Sequence, residues 1–326
     1  GWHYMIKIKY INNNKTLEFK EGTSFHEVCV AFGMNNEVLA ARHNNEIISL
    51  ADKADSDMDI SFVTIKDMDG YKIYKSGLMF IFQIALKELY PKLEIKYQHS
   101  VPKGFLGEIV GNYTITQEDL KKIKNKMASI VLENILFKKV NIKKKEAIDF
   151  YYKIKENEKA INVQNLSDKV VTLYELKGIY NYFYSEMPYS TGSITNYDIV
   201  FLGRNRLIFV LPSYLTNGKL PEYVHYDNII NSFLTGKNYL ETLNIEYVSY
   251  LNKTVCDGKI KNFMESCELV FNMNIEKACI DITNNRNIKF VLIAGPSSSG
   301  KTTTSKRLSS YLMAQGFDPL KLSIDD

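Results

Sequence analysis

Cysteine and histidine are scarce in this chain, and neither clusters. Its four cysteines, Cys29, Cys256, Cys267 and Cys279, contain no C-x-x-C pair, and none of the 5 histidines falls at ligand spacing beside them. A zinc site is therefore not expected. So few thiols in a long chain point to a reducing compartment. No apolar run reaches the roughly eighteen residues that would span a membrane, and no secretory leader is recognisable. The expected location is cytoplasmic, with no membrane partner. One-sided charge is missing as well. Lysine plus arginine number 41 against 37 acids, a net charge of +4, too small a surplus to nominate nucleic acid by charge alone.

What remains is an ordinary globular composition, 45% hydrophobic and 24% charged over 326 residues, enough chain for two or three domains. From Met5 the alternation Ile6, Ile8, Tyr10 predicts a strand, with Leu17 and Phe19 on its hairpin partner across the Asn12-Asn13-Asn14 turn. Ser24 followed by Glu27 is a capping-box pair opening a short helix that carries Phe25, Val28 and Phe32 inward. Short strands around Val38–Ala41, Glu46–Ile48 and Asp59–Val63 complete a small ββαββ-type domain of β-grasp pattern. A second segment starts near Tyr71, with a buried helix over Ser76–Leu89 that Pro91 stops.

Thr116, with Glu118 and Asp119 behind it, caps a long helix whose apolar stripe is Leu120, Ile123, Met127, Ile130 and Val131. Lys121, Lys122, Lys124 and Lys126 line its other face, and Lys138, Lys139, Lys143, Lys144 and Lys145 follow. A solvated helix face is the preferred reading, and RNA contact the alternative. Tyr151, Tyr152, Tyr174, Tyr180, Tyr182 and Tyr184 offer rings for base stacking, but such spacing more often marks core or strand. Between Tyr223 and Ile282 the pattern is helical again and predicts a connecting module.

After Arg286, the run Ile288–Ala294 reads as a strand buried on both faces of a parallel sheet. It leads into Gly295-Pro296-Ser297-Ser298-Ser299-Gly300-Lys301-Thr302, which fits G-x-x-x-x-G-K-[ST] at every fixed position. A helix over Lys301–Gln315 follows, with Gly316 at its C-terminal cap. The glycines let backbone N–H groups of Ser297, Ser298 and Ser299 curl around phosphate, and the helix N-terminus adds partial positive charge. Lys301 is placed to reach the β- and γ-phosphates, the Thr302 hydroxyl to ligate the nucleotide's magnesium, and Thr303 to assist. ATP with Mg²⁺ is the expected cofactor, although GTP fits the loop equally. A further strand, Pro319–Ile324, ends at Asp325 and Asp326 on the ligand side of such a sheet, where an acid orients an acceptor hydroxyl.

The run from Phe290 to Asp326 resembles the start of the uridine kinase and phosphoribulokinase group. Residues Met5 to Lys66 look like a TGS domain. Residues from Tyr71 to Leu211 resemble the second additional domain of threonyl-tRNA synthetase, through Leu86-Lys-Glu-Leu-Tyr-Pro91, Pro102-Lys-Gly-Phe105, Thr116-Gln-Glu-Asp119 and Tyr189-Ser-Thr-Gly192. In that synthetase the domain removes misattached amino acids with an H-x-x-x-H pair and a later cysteine and histidine. Here the matching positions are Ser76, Phe80, Phe183 and Met187, which implies a retired hydrolase.

The resemblance implies an α+β multidomain chain: a β-grasp domain over 5–66, an editing-like domain over 67–222, a helical connector over 223–286, and the first βαβ unit of an α/β P-loop kinase from 287 to 326. Its implied activity is transfer of the ATP γ-phosphoryl group to a nucleoside or similar small alcohol, with Lys301 and Asp325 catalytic. About forty residues of a kinase domain are too few to act alone, so the chain itself is expected to be inactive. The alternative is an ATP-switched RNA- or ribosome-associated regulator, and a GTPase is a third reading.

Overall fold

The computed structural model describes residues 4–34 and 37–323. They form two compact units, Gly1–Thr242 and Leu243–Asp326. The first unit opens with strands β1 (Met5–Tyr10) and β2 (Lys15–Lys20), helix α1 (Phe25–Ala31), and strands β3 (Val38–His43), β4 (Glu46–Ser49) and β5 (Met58–Thr64). The five strands make one sheet in the order β2-β1-β5-β3-β4, with β1 and β5 parallel at its centre. Alternation in β1 buries Ile6 and Ile8, and the Ser24–Glu27 capping box forms as expected, seating Phe25 and Val28 of α1 on the sheet.

Only three residues separate β5 from α2 (Met68–Leu89), which begins two turns before the predicted Ser76. Gly70 and Gly77 weaken the helical signal there, yet both sit where the helix touches other chain. A Cβ on Gly70 would strike the Thr64 carbonyl, and one on Gly77 would come within 2.8 Å of the Pro188 ring. Next come β6 (Glu94–Val101), β7 (Gly104–Val110), α3 (Gln117–Glu133), β8 (Lys138–Lys143), α4 (Lys144–Lys153), α5 (Asn157–Gln164), β9 (Val170–Leu176), β10 (Ile179–Asn181), β11 (Asp198–Gly203), β12 (Arg206–Val210) and α6 (Asp227–Thr242). They build a four-stranded antiparallel sheet, β11-β12-β7-β6, and a three-stranded one, β10-β9-β8.

Helix α2 runs through the main core, where Leu78, Phe80, Ile81 and Phe82 meet Phe105 and Phe209 from the four-stranded sheet and Ile123 and Met127 from α3. Leu39, Ala40 and Val63 of the β-grasp sheet belong to the same core. Asp119 completes the α3 cap with Thr116 and also accepts hydrogen bonds from Tyr90 at 2.6 Å and Tyr113 at 2.9 Å. Helix α6 lies on the four-stranded sheet through Ile230, the His99–Phe233 ring stack and an ion pair from Lys237 to Glu108.

The second unit comprises α7 (Val248–Cys256), α8 (Ile260–Asn284) and α9 (Lys301–Ala314). Ile275 and Cys279 of α8 pack on Leu308 and Leu312 of α9. The α+β character and the β-grasp pattern are thus present. A P-loop kinase unit is not: the helix forms as expected, but no strand is found among the described residues of 287–323. A strand satisfies its backbone only through neighbours, and among the described residues none flanks this segment. Of the run 288–294, Ile293 packs on the α8–α9 core, while Phe290 and Leu292 are 85% and 88% exposed.

Candidate functional site

Two places carry chemistry, one in each unit. In the first, a cleft of about 520 Å³ opens between the start of α2, strands β8 and β9, and the segment from Tyr182 to Glu186. Of the four positions quoted for the resemblance, Phe183 lines it. Ser76 and Phe80, one turn apart on α2, face that segment: the Ser76 and Ser185 hydroxyls are 2.7 Å apart, and the Phe80 and Phe183 rings are tilted at 5.2 Å. Met187 is buried in the same core. Three of the four positions quoted for the resemblance, Ser76, Phe80 and Phe183, therefore sit along one contact between α2 and the segment after β10, and the four hold a hydroxyl, two phenyl rings and a thioether. No histidine or cysteine lines the cleft, and no metal-binding group of acids, histidines or cysteines occurs among the described residues. The cleft has no general base of the imidazole type and no thiolate nucleophile.

Its wall is nevertheless polar and ordered. Lys139 on β8 donates to Glu186 at 2.8 Å and lies 3.5 Å from Asp52, which comes from the β-grasp domain. The Tyr174 hydroxyl donates to the other Glu186 oxygen at 2.6 Å. Burial pulls the Lys139 ammonium down, but the Glu186 and Asp52 carboxylates outweigh it and the group is raised on balance. Tyr174 is driven far up by burial and by Glu186 beside it, so it stays a hydrogen-bond donor. His26 of α1 stacks flat on Tyr189 with ring centroids 3.8 Å apart, and burial holds that imidazole below its ordinary pKa. Sequence reading noted Lys139 only as one lysine in a run and missed Glu186 and Asp52. Partners that far away in the chain leave no local signal.

The lysine-rich stretch is largely neutralised. Lys122 pairs with Glu118, Lys124 with Asp198 at 2.6 Å, Lys126 with Glu88 at 2.5 Å and Lys138 with Glu175 at 3.0 Å, and Lys144 donates to the Leu166 carbonyl. Lys121, Lys143 and Lys145 remain as exposed cations without a salt bridge among the described residues. Of the tyrosines, Tyr151 and Tyr174 are core, whereas Tyr152, Tyr180 and Tyr184 are exposed.

In the second unit, the loop from Gly295 enters α9 through Gly300, at φ +84°, and Ser298 also takes a positive φ of 59°. Both belong to a tight turn aimed at a helix N-terminus, whose first N–H groups have no intrahelical acceptor. Lys301 folds back, donating to the carbonyls of Gly295 and Pro296 at 2.8 Å each. A Cβ on Gly295 would meet the Ser299 hydroxyl at 2.6 Å, a contact that rotation of that hydroxyl can relieve. Ser297, Ser299, Thr302 and Thr303 surround the same turn, and the donor set suits an anion once Lys301 turns outward. Asp325 lies outside the described residues.

No family model matches the chain. Over 174 residues, 52% of this chain, it is 28% identical to a threonine–tRNA ligase of Clostridium novyi, and over the same length 27% identical to the threonine–tRNA ligase of Ehrlichia chaffeensis. The ligase of Laribacter hongkongensis is 28% identical over 160 residues. The chain spans about a quarter of the length of these curated relatives, 25% to 27%. These likenesses correct the uridine kinase-like reading, its phosphotransferase activity and its small-alcohol acceptor: the relatives are ligases that join threonine to tRNA, not kinases or transferases of that group. The physical reason for the misreading is plain. A P-loop motif reports a phosphate cradle, not the reaction done there.

Proposed function

We propose that this chain is an RNA-associated regulatory protein: its first unit binds tRNA-type RNA without hydrolysing it, and its P-loop binds nucleotide as a switch. One observation carries the reading. The cleft beside Phe183 and Ser185 has a volume of about 520 Å³ and a polar wall, and neither histidine nor cysteine lines it. A cleft of that composition favours binding over turnover. The likeness to threonine–tRNA ligases supplies the class of ligand. Cytoplasm is the compartment such a protein needs, and among the described residues no helix is long and apolar enough to cross a membrane.

In this reading the backbone of Gly295 to Gly300 and the side chains of Ser297, Ser299, Lys301, Thr302 and Thr303 hold the phosphates of ATP. Thr302 is the residue placed to ligate nucleotide-bound Mg²⁺, which supplies charge neutralisation when bound. Lys301 leaves the Gly295 and Pro296 carbonyls for the phosphates, and this exchange of partners is the switch.

Equilibrium binding of bulk tRNA to the full chain, followed by fluorescence anisotropy between about 50 and 200 mM salt, tests the proposal. Binding should weaken with salt and change with MgATP. Lys301→Ala should keep RNA binding and lose the nucleotide effect. An absence of tRNA binding at the lowest salt would sink the reading.

A further inference from the structure

Helix α6 is held to the first unit less firmly than the other long helices there. Only Ile230 of its 16 residues is buried, whereas α2 buries eleven residues and α3 five. Its contacts follow a single stripe. Ile230 meets Leu106, Ile208 and Val210 on the outer face of the four-stranded sheet, Phe233 stacks on His99 with ring centroids 4.4 Å apart, and Lys237 pairs with Glu108. His99 lies where the β6–β7 register shifts, between Tyr97 and Ser100, so one anchor stands on an irregular part of the sheet.

The docked form also leaves a buried polar atom unmatched. The Gln98 amide nitrogen donates at 2.7 Å to the Glu108 oxygen that holds Lys237, but its Oε1 is buried without a hydrogen-bond partner among the described residues. An acceptor shut away from water and unpaired costs free energy that hydration on opening would return.

The helix itself is built from weak helix formers. Asn, Ser, Thr and Gly fill seven of the 16 positions. The first three compete with the helix for backbone hydrogen bonds, and glycine carries excess backbone freedom. Ser232, Thr235 and Thr242 each turn a hydroxyl back to the carbonyl four residues earlier, at 2.8, 2.9 and 2.9 Å, a bond that loosens and bends a helix. Gly236 is not there to make room, since a Cβ on it would meet nothing within 4 Å. A glycine that packing does not require lowers the stability of the helix and nothing else.

We propose that α6 is a releasable strap, which lifts from the outer face of the four-stranded sheet as one unit while the rest of the first unit stays folded. The apolar side chains of Leu106, Ile208 and Val210 beneath it keep the closed form dominant. Release lengthens the link between the two units. With α6 docked, α6 and α7 are joined by residues 243–247, at most about 18 Å of chain. Released, α6 adds about 24 Å as a helix and more if it unravels. The strap thus sets how far the unit carrying the glycine-rich loop can range, and its opening requires neither RNA nor nucleotide.

Hydrogen exchange of the full chain without denaturant, read by mass spectrometry, tests the proposal. Peptides covering 227–242 should exchange at least about a hundredfold faster than those of α2, and both halves of α6 should respond together. Gly236→Ala should slow exchange in α6 about two- to fivefold. Phe233→Ala should speed it at least about fivefold, and α2 should be unmoved in both variants. Trypsin acting on the native chain gives a second readout. Cleavage after Lys237 should precede cleavage after Lys121 of α3, although Lys121 is the more exposed of the two, and Gly236→Ala should slow it by the same factor. Equal protection of α6 and α2 overturns the strap, because α6 would then open only with the whole unit. A Gly236→Ala effect confined to the C-terminal half, which is fraying, or cutting at Lys237 no sooner than at Lys121, overturns it as well.

Discussion

The two units spend similar sequence differently. In the first, apolar residues find one another across long separations: Leu39 of β3, Phe80 of α2, Ile123 of α3 and Phe209 of β12 share one core. In the second, two helices meet through Ile275, Cys279, Leu308 and Leu312, while Phe290 and Leu292 face outward. The difference teaches that an apolar run specifies burial only where the fold supplies a second layer. Ile288–Ala294 is as hydrophobic as any strand of the first unit, yet a strand needs neighbours to pair with and a face to lie against.

The largest effect that sharpens this contrast is Phe80→Ala, which opens a cavity at the centre of the first unit and should cost about 3–5 kcal/mol in urea unfolding. Leu308→Ala in the second unit should cost less, about 1–2 kcal/mol, because its site is shallower and collapses more readily. Equal losses would break the comparison.

A smaller effect is expected at the joint between β-grasp sheet and cleft wall. Lys139→Met removes the ammonium shared by Glu186 and Asp52 and should destabilise the first unit by roughly 1–2 kcal/mol, less than a fully buried pair because all three groups keep some water. Glu186→Gln should be milder, since the amide still accepts from Tyr174. A chemical-denaturation midpoint for each variant measures both.

Acid titration probes the α3 cap. The hydroxyl of Tyr90, then the Thr116 backbone, hold the Asp119 carboxyl well below its ordinary value. Its folded pKa is depressed, so its stabilisation is complete above the unfolded value of about 3.9 and is lost as pH falls below it. Asp119→Asn should therefore lower stability at neutral pH and flatten the acid limb below about pH 4. An unchanged acid limb would remove Asp119 from the account. Smallest of all, Lys121→Glu with Lys145→Glu should leave stability within about 0.5 kcal/mol and weaken tRNA binding only modestly, because most lysines of that stretch already have partners.

Much of the β-grasp domain was legible in the sequence because its signals are local. Strand alternation in β1 and the capping box at Ser24 rest on residues within a turn of one another, as does the capping box at Thr116 that opens α3. The start of α2 was not, since Gly70 and Gly77 are chosen by chain that approaches from elsewhere. Of the four positions quoted for the resemblance, Ser76 lies against Ser185 and Phe80 against Phe183. The Lys139–Glu186–Asp52 cluster depends on contacts between distant segments and left no local signal. The P-loop was the reverse case: its motif is unmistakable, but it led to a reaction that the chain's relatives do not share.

The stack of His26 on Tyr189, the bridge from Lys139 to Asp52, and the contribution of Leu39, Ala40 and Val63 to the main core have one consequence. The β-grasp part and its neighbour have no seam between them. Neither could be exchanged for an unrelated module without exposing a raw face on the other. Side chains within the cleft are free to vary, but the two halves must keep their fit.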